Sequence, residues 1–82
     1  MSPEEIREQV RRFVTVALRF PDMSDDTDIF EKGGASSLFA AELVVFVEDE
    51  LGVELEDDDL VRENFATIDA VSRLAVSKSR PG

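Results

Sequence analysis

The sequence predicts an all-α fold, a small bundle of three main helices and one short helix. Three segments repeat apolar residues at the three- and four-residue spacing of a helix, and the strongest helix breakers lie between them. The 82 residues are 43% hydrophobic and 34% charged, a balance typical of a compact chain rather than a disordered one. We therefore expect one domain over residues 1–82, with a long loop at 21–36 and a frayed tail at 77–82.

The first helix has clear start signals. Ser2 is a good N-cap, Pro3 fits the first helical position, and Glu5 completes the spacing of a capping box. Pro21 is expected to end the helix. The residues predicted to face the core are Ile6, Val10, Phe13, Val14, Ala17 and Leu18. The residues predicted to face the solvent are Glu4, Arg7, Glu8, Arg11 and Arg12.

Residues 21–36 form a long connection rich in Asp, Ser, Thr and Gly. Ile29 and Phe30 are its strong apolar pair, and we expect them to attach the loop to the core. The acidic spacing is loosely similar to a calcium-binding loop. However, Thr27 stands where such a loop needs glycine, and Gly33 stands where it needs the bidentate glutamate. The sequence therefore predicts no metal site.

The second helix follows Gly33 and Gly34, whose backbone freedom allows a tight turn, and Ser36 is its predicted N-cap. It continues over residues 37–51, and Gly52 ends it. The residues of its core-facing stripe are Phe39, Ala40, Leu43, Phe46, Val47 and Leu51. The apolar residues outside this stripe, on the side that carries Glu42, Glu48 and Asp49, are Leu38, Ala41 and Val45. A small domain has few ways to bury such a second apolar side, so we expect a docking patch.

The segment after the second helix is short and acidic. Val53 and Leu55 alternate with glutamates, which predicts an extended piece. Residues 57–62 predict one or two helical turns, because aspartates are favourable at the N-terminal end of a helix. Asn64 and Phe65 are expected to end these turns.

A last helix is predicted over residues 68–76, with Thr67 as its cap. The residues predicted to face the core are Ile68, Val71, Leu74 and Ala75. The six phenylalanines of the chain are also assigned to the core, because aromatic rings bury the largest apolar area.

The net charge of −10 is concentrated in one stretch. Residues 42–63 hold ten acidic side chains and one basic side chain, Arg62, which gives −9. We expect no nucleic-acid partner, because phosphate backbones require clusters of Lys and Arg. An acidic stretch is either a solvated face or an electrostatic docking surface for basic partners, and its concentration here favours docking.

The residue types exclude most catalytic chemistry. The chain has no Cys and no His, and therefore no disulfide, thiol nucleophile, thiolate metal site or histidine base. No apolar run approaches the roughly 18 residues that span a bilayer, and the N-terminus has no signal-peptide core. We expect a cytoplasmic chain that is not an enzyme and has no membrane partner.

The segment Gly34-Ala35-Ser36-Ser37-Leu38 resembles the Gly-x-Asp-Ser-Leu motif of the acyl and peptidyl carrier proteins. The resemblance covers nearly the whole chain, from the capped first helix and the Ile-Phe pair of the loop to the segment Leu51–Leu55. It implies an acyl-carrier-like bundle in which Ser37 carries a covalent 4′-phosphopantetheine taken from coenzyme A. Ser36 departs from the family's Asp, but Ser is about as good an N-cap.

The chemistry of the helix start supports attachment at Ser37 independently of the resemblance. A hydroxyl in the first turn of a helix lies where a phosphodiester meets free backbone N–H groups and the positive end of the helix dipole. The absence of cysteine also fits, because a second thiol on the protein would intercept acyl groups. For such a serine on its own, a plain N-cap without modification is the alternative.

The resemblance also implies the partners: a phosphopantetheinyl transferase, acyl-loading and acyl-modifying enzymes, and acyltransferase or synthase modules. These enzymes generally present basic surfaces, and they act on a monomeric carrier. The residues assigned to partner docking are Leu38, Glu42, Val45, Glu48, Asp49, Asp57 and Asp58. The alternative for the cluster Asp57–Asp59 is mutual repulsion with adventitious cation binding.

The segment Ser36–Ala40 is similar to a narrower group of discrete carriers. They present alkoxy-, hydroxy- or aminomalonyl extender units in polyketide or hybrid polyketide and nonribosomal peptide biosynthesis. Met1 and the short tail favour such a discrete protein. Two alternatives stay open: a peptidyl carrier with an aminoacyl group, which Gly33 and Gly34 favour, and an acidic helical adaptor without a cofactor. The high acidity favours an acyl carrier.

Overall fold

The computed structural model describes residues 1–79, which contain four α-helices and no β-strand. A 3₁₀ turn at Asp57–Asp59 precedes the third helix. The helices are α1 at Pro3–Ala17, α2 at Ser37–Glu50, α3 at Arg62–Phe65 and α4 at Ile68–Lys78. The predicted all-α fold, with three main helices and one short helix, is confirmed.

Helix α1 begins with the predicted capping box. The Glu5 N–H donates to Ser2 Oγ at 3.2 Å, and the Ser2 N–H donates to the Glu5 carboxylate at 2.9 Å. The backbone hydrogen bond from Ser2 favours the ionised carboxylate and lowers the pKa of Glu5. The helix ends at Ala17 rather than near Pro21, because Arg19 turns the chain into the left-handed region with a φ of 54°. Ala17, predicted to face the core, is exposed at this end.

The core contains most of the predicted apolar positions. Two phenylalanines, Phe39 and Phe65, are buried, whereas the other four are half-buried at the edge of the core. The buried hydrophobic residues are Ile6, Val10, Val14, Met23, Ile29, Phe39, Leu43, Val47, Leu51, Val53, Phe65, Ile68, Val71, Leu74 and Ala75. Two of the six phenylalanines assigned to the core are therefore buried in it, and the other four pack against it.

The short helix lies later in the chain than predicted. Helical turns were expected over residues 57–62, but α3 includes Asn64 and Phe65, which the sequence assigns to the break. The Asn64 side-chain amide donates to the Asp59 carbonyl oxygen at 2.8 Å and joins the 3₁₀ turn to α3. Phe65 is 4% exposed, and the burial of its ring outweighs the weak helix propensity of this segment.

Helix α4 begins at the predicted cap, where the Thr67 hydroxyl accepts a backbone N–H at 2.9 Å. The helix continues to Lys78, so the prediction of a frayed tail is wrong for residues 77–78. Lys78 Nζ lies 2.8 Å from a carboxylate oxygen of Asp59, and this ion pair holds the last turn of α4 against the 3₁₀ turn. Residues 80–82 of the predicted tail lie outside the described residues.

The long loop between α1 and α2 is attached to the core by Ile29. This side chain is fully buried, and the Ile29 N–H donates to the Ala66 carbonyl oxygen at 2.8 Å. The Asp28 carboxylate accepts hydrogen bonds from the N–H groups of Phe30 and Glu31, which fixes the following turn. Since Phe30 is half-buried, Ile29 provides most of the attachment.

Two aspartates join the loop and α4 to the charged face of α1. Asp25 in the loop lies 3.0 Å from Arg7 and 2.8 Å from Arg11. Asp69 in α4 lies 2.9 Å from Arg7 and 3.0 Å from Arg73. The hydrogen bond to Asp69, with that to Asp25, raises the pKa of Arg7. Arg7 and Arg11, predicted to face the solvent, are thus half-buried partners of the loop.

Replacing Asp25 with alanine should lower the free energy of unfolding by about 1 kcal/mol, because two partly exposed ion pairs are lost. Urea denaturation followed by circular dichroism measures this loss. Asp22→Ala is the matched control, since Asp22 is an exposed aspartate of the same loop. Equal unfolding midpoints for the two variants would contradict the role of Asp25.

The pairing of Asp59 with Lys78 predicts a pH dependence of stability. The hydrogen bond from Lys78, followed by one from the Glu56 backbone, lowers the pKa of Asp59. Such a carboxylate stabilises the fold above its unfolded pKa of about 4, and the contribution is lost as the pH falls through the lower folded pKa. Below about pH 4 the wild-type chain should therefore lose stability more steeply than Asp59→Asn.

Melting temperatures measured at a series of pH values show how steeply stability falls with pH in the wild type and in Asp59→Asn. Asp57→Asn is the control, because the Asp57 side chain is exposed on the same turn. This control should follow the wild-type curve. Parallel curves for the wild type and Asp59→Asn would show that the ion pair with Lys78 makes no contribution to stability.

Candidate functional site

Two glycines bring the loop to the start of α2. A Cβ atom on Gly33 would lie 2.9 Å from both the Ile29 carbonyl oxygen and the Met23 methyl carbon, so the loop packs here only without a side chain. Gly34 has a φ of 80°, which residues with a Cβ atom rarely adopt. These two residues fix the direction in which the chain reaches α2.

Ser36 and Ser37 have different environments at this helix start. The Phe39 N–H donates to Ser36 Oγ at 3.3 Å, and the Ser36 backbone is extended, so Ser36 is the N-cap of α2. Ser37 is the first helical residue, and its side chain is exposed. Within residues 1–79, the Ser37 hydroxyl has no protein hydrogen-bond partner. Of the two hydroxyls, that of Ser37 is therefore the one not engaged in holding the helix.

A groove of about 330 Å³ lies beside Ser37, between α2 and α3. Its lining residues are Phe30, Ser37, Ala40, Ala41, Val44, Leu60, Arg62 and Phe65. The lining is apolar except for Ser37 and Arg62. The Arg62 guanidinium lies over the Phe30 ring, 4.8 Å from its centroid, and this cation–π contact positions the charge in the groove.

The electrostatics around Ser37 suit a phosphodiester. The first turn of α2 contains no acidic residue, and its free N–H groups form the positive end of the helix dipole. None of the carboxylates in residues 1–79 lines the groove, whereas Arg62 does. An anionic group bonded to Ser37 Oγ would lie at the positive end of the helix dipole, beside a groove whose charged lining residue is Arg62.

The residues predicted for partner docking on α2 are all exposed, and three of them line a groove. Leu38 and Val45 are 72% and 54% exposed. Glu42, Val45 and Asp49 line a second groove, which faces α1. Leu38 and Glu48 are exposed outside that groove. The α2 surface thus combines apolar and acidic side chains at helical spacings of three and four residues.

The acidic turn before α3 divides into two parts. Within Asp57–Asp59 the first two side chains are exposed, whereas Asp59 is half-buried and paired with Lys78. The next two residues, Leu60 and Val61, are exposed apolar side chains that the predicted site omits. Leu60 lines the groove beside α2. An apolar pair inside an acidic run is the sequence signal that would have indicated them.

Metal-ligand and membrane features are absent from residues 1–79. No group of three or more His, Cys, Asp or Glu residues in this range is arranged to hold a metal ion. In the same range, the helices are too short or too polar for any of them to cross a membrane.

Comparison with known proteins identifies the family. The family model described as the phosphopantetheine attachment site matches residues 4–75, which is most of the chain. The chain belongs to this family, whose members carry a covalently attached 4′-phosphopantetheine. Comparison with the curated proteins found no match. The predicted family resemblance and the predicted cofactor are confirmed.

Family membership defines the class of protein as a helical carrier that bears 4′-phosphopantetheine. Carrier domains of this kind are generally not catalytic. They work with a phosphopantetheinyl transferase and with acyl-handling enzymes. An acidic adaptor without a cofactor does not agree with this membership.

The cap that Ser36 provides predicts a stability effect. Ser36→Ala should lower the free energy of unfolding by about 1 kcal/mol, because a backbone N–H at the start of α2 loses its acceptor. Urea denaturation measures the loss. The matched control is Ser36→Asp, which restores a capping side chain and should keep most of the stability. If Ser36→Ala and the wild type have the same urea midpoint of unfolding, the cap makes no contribution to stability.

Proposed function

We propose that Ser37 is the attachment residue of 4′-phosphopantetheine in an acyl carrier that acts as a monomer. The observation that supports this residue is an exposed hydroxyl at the start of α2, beside a groove in which Arg62 is the charged lining residue. The proposed setting is polyketide or hybrid polyketide and nonribosomal peptide biosynthesis. Its support is the resemblance of the attachment segment to carriers of those pathways.

Ser37 is preferred to Ser36 for two reasons. Ser36 Oγ accepts the N–H of Phe39, so a bulky group bonded there would disturb the N-cap of α2. Leu38 follows Ser37 directly, as leucine follows the modified serine in the family's motif. Both arguments favour the Ser37 hydroxyl.

When bound, the 4′-phosphopantetheine group supplies a terminal thiol on a flexible arm, at which an acyl group is held as a thioester. The free N–H groups of the first turn of α2 would hold a phosphate bonded to Ser37, and the Arg62 guanidinium in the adjoining groove would add a positive charge. Phe30 contacts this guanidinium and positions it in the groove.

Partner enzymes are proposed to bind the mixed apolar and acidic surface around the arm. Exposed leucine and valine side chains supply apolar contact, and the surrounding carboxylates attract basic surfaces. Such contacts are transient and weaken as the salt concentration rises, which lets one carrier serve several enzymes in turn. The proposed docking residues are Leu38, Glu42, Val45, Glu48, Asp49, Asp57 and Asp58.

The proposed cargo is a malonyl-type extender unit with an alkoxy, hydroxy or amino substituent. Its support is the segment Ser36–Ala40, which is similar to that of carriers for such units. The alternative is an aminoacyl cargo, which the pair Gly33 and Gly34 favours. Both glycines also have a local role, the close approach to Ile29 and a positive φ.

Ser37→Ala should abolish loading of the arm while leaving the fold intact. The reason is that the proposed acceptor oxygen is removed, whereas the cap on Ser36 is retained. Intact mass measured after incubation with coenzyme A, Mg²⁺ and a promiscuous phosphopantetheinyl transferase tests this. The wild type and the matched control Ser36→Ala should each gain one phosphopantetheinyl group, and Ser37→Ala should gain none.

A loaded Ser37→Ala variant would contradict the attachment residue, and so would a folded Ser36→Ala variant that stays unloaded. The cargo is identified separately, by the mass of the thioester-bound group on protein isolated from its host. A substituted malonyl group supports the proposed extender unit. An amino acid at this position would make the chain a peptidyl carrier.

A further inference from the structure

Helices α1 and α2 border two adjoining surface grooves, each of about 680 Å³. Phe13 and Phe46 line both, so the two form one continuous surface, the α1–α2 groove. Its apolar lining residues are Phe13, Val16, Ala17, Ala41, Val45 and Phe46. Val16 and Val45 are 70% and 54% exposed, although apolar side chains of this size are ordinarily buried. Each part is about twice the volume of the groove beside Ser37.

The groove exists because aromatic rings stand between the two helices. Phe13 on α1 stacks on Phe46 of α2 with the ring centroids 4.3 Å apart, and on Phe39 at 5.7 Å. Helix α1 packs along α4, whereas these rings connect it to α2. The stacked rings therefore form an apolar floor that is in place before any partner binds.

Both edges of the α1–α2 groove are acidic. Five carboxylates line it against one guanidinium, that of Arg12. The carboxylates are those of Glu5 and Glu8 on α1, and of Glu42, Asp49 and Glu50 on α2. The apolar floor therefore runs between two rows of negative charge.

We propose that the α1–α2 groove binds a basic amphipathic helix of a partner protein. A helix with an apolar stripe places side chains three and four residues apart on the floor, and its flanking Lys or Arg residues reach the carboxylates on each edge. Charge complementarity favours this occupant over a second copy of the chain, which would bring a further set of carboxylates against the first. The proposal does not depend on which serine bears the arm.

The position of the groove gives the bound helix a function. The α1–α2 groove and the groove beside Ser37 lie on different sides of α2, and of their lining residues they share Ala41. A helix bound in the α1–α2 groove therefore leaves Ser37 and Arg62 uncovered but covers Glu42, Val45 and Asp49, which are three of the proposed docking residues. It should compete with enzymes that dock on those residues.

The probe is a synthetic amphipathic helix of about five turns, built from Leu on one face and Lys on both flanks. It is titrated into the ¹⁵N-labelled full chain and followed by amide chemical shifts. Saturable binding is expected, with the largest shifts at Phe13, Val16, Val45 and Phe46. The same peptide with Glu in place of Lys should not bind, because the edges of the groove repel it.

Val16→Asn should weaken binding of the Lys peptide by about tenfold, since a buried valine contact is lost. Val61→Asn is the matched control, because Val61 is an exposed valine outside the groove. Val16→Ala tests the same contact if asparagine near the end of α1 disturbs the fold. Equal affinities of the Val16 and Val61 variants overturn the proposal, as does the absence of binding or a shift pattern centred on other acidic residues.

Self-association is tested in the same samples without peptide. Shifts at the groove residues that grow with protein concentration would assign the groove to a second copy and overturn the proposal. The rate of loading by the transferase is then measured at saturating peptide, and it should fall, because the peptide covers Glu42, Val45 and Asp49 of the proposed docking surface. A chain that is not loaded even without peptide counts against the proposed function alone, because the peptide titration uses the unloaded protein.

Discussion

The attachment of the long loop to the rest of the bundle determines where α2 begins. Ile29 is buried and hydrogen-bonded to the backbone before α4, and Asp25 lies between two arginines of α1. Gly33 then lets the chain pass within contact distance of Ile29. These three contacts fix the helix start. As a result, Ser36 lies at the N-cap and Ser37 at the mouth of the groove.

The chain separates its charges into regions with different chemistry. Residues 42–63 carry a net charge of −9, yet the groove beside Ser37 is lined by Arg62 and by no carboxylate of the described residues. The start of α2 is therefore suited to an anionic group, although the chain as a whole carries a net negative charge. The acidic side chains lie on the outer surfaces of α2 and on the edges of the α1–α2 groove, where basic partners are attracted. The proposed attachment of an anionic arm and the proposed docking of basic partners would thus use oppositely charged regions of one small domain.

Local signals in the sequence predicted the positions of the helices better than they predicted the contacts between the helices. The capping box at Ser2 and the caps at Ser36 and Thr67 depend on neighbours within a few residues, and α1, α2 and α4 start where these caps predict. The burial of Met23 and the pairing of Arg7 with two aspartates depend on segments distant in the chain, so periodicity does not indicate them. The shift of α3 has the same cause, since the burial of Phe65 is a tertiary contact. At the candidate site the motif indicated the serine pair, whereas both grooves arise from side-chain packing and were not predicted.

The central claim is that Ser37 Oγ, rather than Ser36 Oγ, bears the phosphopantetheine. Fragmentation mass spectrometry of the loaded wild-type chain tests it most directly, because trypsin cleavage after Lys32 and Arg62 leaves both serines in one peptide. The predicted result is a fragment series in which the added mass appears only with Ser37. A series that carries the added mass on Ser36 would contradict the account.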